Sequence, residues 1–116
     1  MPVLTILPMN YDTIILGASS DHPYNQGGVF RSTDAGESWE FIGFDARYIY
    51  CMLRGSGETI YAGTNSGVYK SENLGDDWEH ILPMSENVAS LNKLTPDVLF
   101  AGFWGGIMRS LDNGNT

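Results

Sequence analysis

Apolar residues along this chain come in short runs separated by turn-forming residues. The first four runs are VLTILP (3–8), TIILGA (13–18), GVFRS (28–32) and SWEFIG (38–43). Each is five to seven residues long, rich in Ile, Val, Tyr or Phe, and bounded by Gly, Asp, Asn or Pro. That combination predicts β-strands. We label the four A, B, C and D. The connections are short, so neighbours are expected to pair antiparallel as a meander. Strand B is apolar on both faces, as in Ile14-Ile15-Leu16. A strand covered on both sides needs that pattern.

The pattern then repeats. Ser32, Ser71 and Ser110 stand 39 residues apart. Gly36, Gly75 and Gly114 keep the same step, as do Gly28, Gly67 and Gly106, and the basic residues Arg31, Lys70 and Arg109. Upstream, TIILGAS (13–19), TIYAGTN (59–65) and VLFAGFW (98–104) correspond, with steps of 46 and then 39. The seven extra residues fall in SDHPYNQ (20–26). VLTILP, YIYCML (48–53) and VASLNKL (88–94) align so that Val3, Ile49 and Val88 share one position, although Asn92 and Lys93 interrupt the last of them. The units are 1–46, 47–85 and 86–116, and the third holds strands A to C only. Four strands in a repeat near 40 residues is the signature of a β-propeller blade. The expected fold is all-β: three blades, each a four-stranded antiparallel meander, the last lacking its outer strand.

A recurring box sits between strands C and D. It reads STDAGESW (32–39), SENLGDDW (71–78) and SLDNGNT (110–116). These boxes resemble the Asp-box, or BNR repeat, a Ser-x-Asp-x-Gly-x-Thr-Trp hairpin. It is found in sialidase-like and xyloglucanase-like propellers and in propellers of the photosystem assembly factor type. The first box matches at Ser32, Asp34, Gly36 and Trp39. The second matches at Ser71, Gly75 and Trp78, with Asn73 where Asp is expected. The third matches at Ser110, Asp112, Gly114 and Thr116. The resemblance spans the whole chain.

The physics of the box is local. An Asp or Asn side chain accepts hydrogen bonds from turn N–H groups. Gly supplies the positive φ of the tight position. Ser adds a further side-chain bond, and Trp lays a large ring on the neighbouring strand or blade. Asp34 and Asp112 also admit a reading as catalytic or calcium-binding carboxylates. The turn mechanism accounts for every box residue, so a structural role is expected. Arg31, Lys70 and Arg109 project from different blades. A solvated or pairing role in each blade is expected of them, not a joint grip on one anion.

A meander alternates its loops between two ends. The A–B and C–D loops, with the boxes, share one end. The B–C and D–A loops share the other, where family resemblance places ligand sites. Candidate ligand-binding residues therefore come from the second end. The inserted B–C loop brings Asp21, His22 and Tyr24. The first D–A loop brings Phe44, Asp45 and Arg47, and the second brings Glu86. The third B–C loop carries Phe103 and Trp104, which equally suit packing between blades or subunits. Aromatic and mixed polar residues on loops over a rigid scaffold suit a carbohydrate or a peptide. His22 has no second His near it in sequence, and His80 falls on strand D of the second unit. No metal and no cofactor are therefore expected.

Composition narrows the partners. The 116 residues carry 14 acidic and 6 basic side chains, a formal net charge of −8. Nucleic-acid binders cluster Lys and Arg instead, and an anionic membrane surface is equally ill matched. The single Cys51 excludes an internal disulfide and is expected to be a structural thiol. No apolar run reaches the length of a membrane span. The N-terminal residues lack the basic region of a signal peptide, and no compartment follows.

A sialidase-type enzyme needs three arginines on the substrate carboxylate, a Tyr–Glu pair and an acid–base Asp, an arrangement the four arginines here do not suggest. Other Asp-box glycosidases use two carboxylates. Asp21, Asp45 and Glu86 lie at the right end, but the sequence sets no separation between them. The expectation is a non-catalytic binding or scaffold module, with a relative or fragment of an Asp-box glycoside hydrolase as the alternative. Three blades do not close a ring, whereas propellers have 4–8. Either the chain belongs to a longer propeller or identical chains assemble. The register favours a homodimer of six blades.

Overall fold

The computed structural model describes residues 3–10, 12–18, 28–42, 48–83, 87–95, 98–103 and 105–111. They form three antiparallel sheets. The first orders β1 (Val3–Pro8), β2 (Ile14–Ala18), β3 (Gly28–Ser32) and β4 (Glu40–Phe41) in sequence. The second does the same with β5 (Ile49–Arg54), β6 (Ile60–Thr64), β7 (Gly67–Ser71) and β8 (Glu79–Pro83). The third pairs β9 (Val88–Thr95), β10 (Val98–Phe103) and β11 (Gly106–Ser110). This is the meander of propeller blades, and the fold is all-β as expected. Among the described residues no helix is long and apolar enough to cross a membrane.

Two strands differ from expectation in length. β4 covers two residues of SWEFIG, yet the Ile42 N–H still donates to the Val29 carbonyl at 2.9 Å, so pairing outlasts strand geometry. β9 runs eight residues, straight through Asn92 and Lys93. Asn92 is exposed and Lys93 half-buried, because one face of this sheet meets no further blade among the described residues. The repeat also shows in a detail of register. The A–B pairing skips a residue between Val3 and Thr5, between Ile49 and Cys51, and between Val88 and Ser90. A bulge at one position in all three sheets bends each inner strand alike.

Sheets meet where a side chain is missing. Directly opposed residues share a face, so Gly17 with Val29, and Ile15 with Arg31, point toward the second sheet. A Cβ on Gly17 would lie 2.4 Å from Ile49 Cγ2. A Cβ on Gly63 would lie 2.5 Å from Cys51 Sγ and 2.9 Å from Val88 Cγ1. The first strand of each later sheet thus rests on the second strand of the one before. Fully buried Ile15, Val29, Ile49 and Ile60 form a core across the first two sheets. Val68, Val88 and Ala101 form a smaller one across the second and third. Gly17→Ala and Gly63→Ala should each destabilise by about 1–3 kcal/mol through overpacking against these neighbours. Urea unfolding measures this, and a cost of a few tenths would contradict the close approach.

Candidate functional site

The turns after β3 and β7 are built alike. Ser32 Oγ donates to Asp34 Oδ1 at 2.7 Å and accepts the Gly36 N–H at 2.8 Å. Asp34 accepts the Ser38 N–H at 2.8 Å and the Ser38 hydroxyl. In the second turn Ser71 Oγ donates to Asn73 Oδ1 at 3.0 Å and accepts the Gly75 N–H at 2.8 Å. Asn73 accepts the Asp77 N–H at 2.9 Å, and its Nδ2 donates to the Asp77 carboxylate at 2.8 Å. Asn therefore replaces Asp by trading a carboxylate that accepts from the Ser38 hydroxyl for an amide that donates to the Asp77 carboxylate. Gly36 and Gly75 sit at φ of 95° and 94°, where a Cβ is strained. The preceding Ala35 and Leu74 also have positive φ. Their N–H groups donate to the carbonyls of Asp12 and Glu58, at 2.9 and 3.1 Å. Each C–D turn is thereby tied to its own A–B turn, and the two share one end of the sheet.

The two tryptophans differ. Trp78 is half-buried, beside a Gly75 that Ile42 of the first sheet covers. Trp39 remains 41 % exposed, its Nε1 donating to the Gly36 carbonyl at 3.1 Å. The difference is the preceding sheet, which the second turn has and the first turn lacks among the described residues.

Arg31 does more than sequence spacing suggests. It pairs with Glu40 on the adjacent strand at 2.8 Å. It also crosses to the second sheet, where Nη1 donates to the Leu74 carbonyl at 3.1 Å and to the Asp76 carboxylate at 2.9 Å. Its guanidinium is held above its ordinary value by Glu40 first, with partial burial opposing and Asp76 adding to it. Lys70 is buried at the equivalent position, 5.8 Å from the Tyr61 ring centroid and 3.8 Å from Glu72. Only the constancy of a basic residue at steps of 39 could have signalled this contact.

At the opposite end, the loop between β6 and β7 is well fixed. Thr64 Oγ1 donates to the Gly67 carbonyl at 3.0 Å and accepts the Ser66 N–H at 2.9 Å. His80 Nε2 lies 2.7 Å from the Ser66 carbonyl while its ring stacks on Tyr69. Asn65 in this loop buries its Oδ1 without a hydrogen-bond partner among the described residues. Of the expected ligand-binding residues, Asp21, His22, Tyr24, Phe44, Asp45, Arg47, Glu86 and Trp104 lie outside the described residues. So do Asp112 and Gly114 of the third box. Phe103 is half-buried and paired with Gly106 and Val88, as part of the sheet. Cys51 is half-buried, its Sγ 3.7 Å from the Val88 carbonyl. Burial pushes its thiol up to about 11, so it is a poor nucleophile near neutral pH. No group of three metal-ligating side chains gathers among the described residues.

Topology and stacking define a β-propeller fold. Solved structures agree. The chain superposes on an ancestral GH74 enzyme with a TM-score of 0.79 and 16 % identity, over 98 % of this chain and 17 % of that one. It matches the GH74 xyloglucanase from Xanthomonas campestris with a TM-score of 0.70 and 15 % identity, over 90 % of this chain and 21 % of that one. A third match is YCF48 bound to D1 peptide, with a TM-score of 0.52 and 13 % identity, over 96 % and 50 %. The chain thus spans about a fifth or less of the two GH74 proteins. No family model and no curated protein matches the sequence.

The Asp34 carboxyl is held at about 2, chiefly by the Ser38 hydroxyl, then by the Ser38 N–H and the Ser32 hydroxyl. A lowered folded-state value stabilises above the unfolded value and is lost as pH falls through the folded one. The melting temperature should therefore drop between about pH 4 and pH 2, and Asp34→Asn should flatten that drop. Equal acid slopes for both proteins would contradict this role.

Proposed function

We propose that this chain is a non-catalytic binding scaffold whose propeller ring is completed by a second copy, giving a six-bladed homodimer. Its blades are 1–46, 47–85 and 86–116, and its three turns are read as Asp-boxes that staple hairpins. One observation carries the assembly. Val29 and Val68 are 0 % and 3 % exposed, whereas Ile107, at the same repeat position, is 75 % exposed. A soluble propeller covers such a face with another blade.

The ligand surface in this reading is the end bearing the B–C and D–A loops, with Asp21, His22, Tyr24, Phe44, Asp45, Arg47, Glu86, Phe103 and Trp104 as its residues. A carbohydrate or a peptide is the class of ligand that such aromatic and polar loops suit. The peptide on the YCF48 neighbour and the xyloglucanase activity in the name of another are in keeping with those two classes. The likeness to GH74 proteins also favours the second reading, a relative or part of an Asp-box glycoside hydrolase. There, changing Asp21, Asp45 or Glu86 would abolish turnover of a fluorogenic glycoside.

Light scattering should give twice the 12.8 kDa chain mass at micromolar concentration. Gly102→Val, which adds bulk to the open face of β10, should return the mass to that of one chain. A folded wild-type monomer would overturn the homodimer.

A further inference from the structure

The open face of the third sheet repeats, residue for residue, a face that is closed elsewhere in the molecule. Across β10 and β11, Gly102 opposes Ile107 and Phe100 opposes Arg109. The same places in the first sheet hold Gly17, Val29, Ile15 and Arg31, and in the second Gly63, Val68, Tyr61 and Lys70. In those two sheets the glycine receives Ile49 or Val88 from the next sheet. At Gly102 a Cβ would meet only the Ser90 side chain, from within its own sheet. A groove of about 450 Å³ lies there, lined by Phe100, Gly102 and Ile107 together with Leu94.

The charged part of the contact is open as well. Arg31 closes the first interface by reaching the Leu74 carbonyl and the Asp76 carboxylate. Arg109 lies 78 residues beyond Arg31, at the same strand position, and its guanidinium has no hydrogen-bond or ion-pair partner among the described residues. The matching acceptors are present at the other end of the chain. Ala35 and Glu37 precede Leu74 and Asp76 by 39 residues. Ala35 shares the positive φ of Leu74, 60° against 58°, at the same place in its turn. Glu37 shares the Asp76 turn, its N–H donating to the Asp34 carbonyl at 3.4 Å as that of Asp76 does to Asn73 at 3.3 Å. Glu37 is exposed and its carboxylate is unpaired among the described residues. The first sheet is also open on this side, with Ile6, Phe41 and Trp39 exposed by 62, 46 and 41 %.

We propose that the third sheet of one chain docks on the first sheet of a second copy, with Arg109 clasping the partner's Ala35 carbonyl and the partner's Glu37 carboxylate. The contact is head to tail. Two copies make it twice and close a ring with twofold symmetry. The repeat register seats the start of the partner's β1 over Gly102, where Ile49 and Val88 stand at the two internal interfaces. The inner strand is more polar here than inside the chain, with Ser90 and Asn92 opposite Gly102 and Phe100. The closing contact therefore depends more on Ile107 and on the arginine than the internal contacts do. This inference rests on the homodimer reading and specifies its chemistry.

The test is a charge swap read by light scattering, with circular dichroism to verify the fold of each variant. R109E alone places two acidic groups together at both contacts, and E37R alone places two basic groups there. Each should run as a folded monomer. An equimolar mixture of the two should recover the two-chain mass, because every contact between unlike copies is again of opposite charge. The double variant R109E/E37R should dimerise by itself. A wild-type monomer would defeat the homodimer reading and the clasp together. A wild-type dimer whose single variants remain dimeric, or whose mixture stays monomeric, would overturn the clasp and leave the homodimer standing.

Discussion

Successive sheets approach so closely that no Cβ fits between them at Gly17 or Gly63. That constraint organises the rest of the molecule. It lets Ile49 and Val88 press into the preceding sheet and bury Ile15, Val29 and Val68. It demands strands that are apolar on both faces, which is why β6 is buried at every residue. It brings Arg31 within reach of a turn 43 residues away. A single four-stranded meander has a small core, and propeller blades gain stability mainly from neighbours.

The hairpin turns serve that packing. Asp34 and Asn73 staple their turns with different proton arrangements and nearly the same backbone. A turn fixed in this way presents a carbonyl at Leu74 and a carboxylate at Asp76 to the arginine of the sheet before it. The second box is thus both a staple within its blade and an acceptor between blades. The Asp34 carboxylate is engaged by the Ser32 and Ser38 hydroxyls and the Ser38 N–H.

Much of this was legible in sequence, because strand pattern and turn chemistry are local. The 39-residue step related β3, β7 and β11 and also β6 and β10, a step of 46 related β2 to β6, and the repeat placed the serine, the acceptor and the glycine of each described turn. A solvated or pairing role within its blade was expected of Arg31, and of the two it has the pairing, with Glu40. Its bond across to Leu74 was not legible, since spacing within one repeat does not say which face meets the next. The unequal burial of Trp39 and Trp78 was hidden for the same reason: identical boxes differ only in what lies beside them. The expected ligand loops, apart from Phe103, fall outside the described residues, so their reading rests on residue type and loop end.

In the proposed ring, the packing that joins the first sheet to the second and the second to the third also joins the third sheet to the first sheet of another copy. Small-angle X-ray scattering tests it most directly. The expected distance distribution is that of a disc with a central channel, from a particle of two chains. Scattering that fits a single 37 × 33 × 19 Å body at every concentration would contradict it.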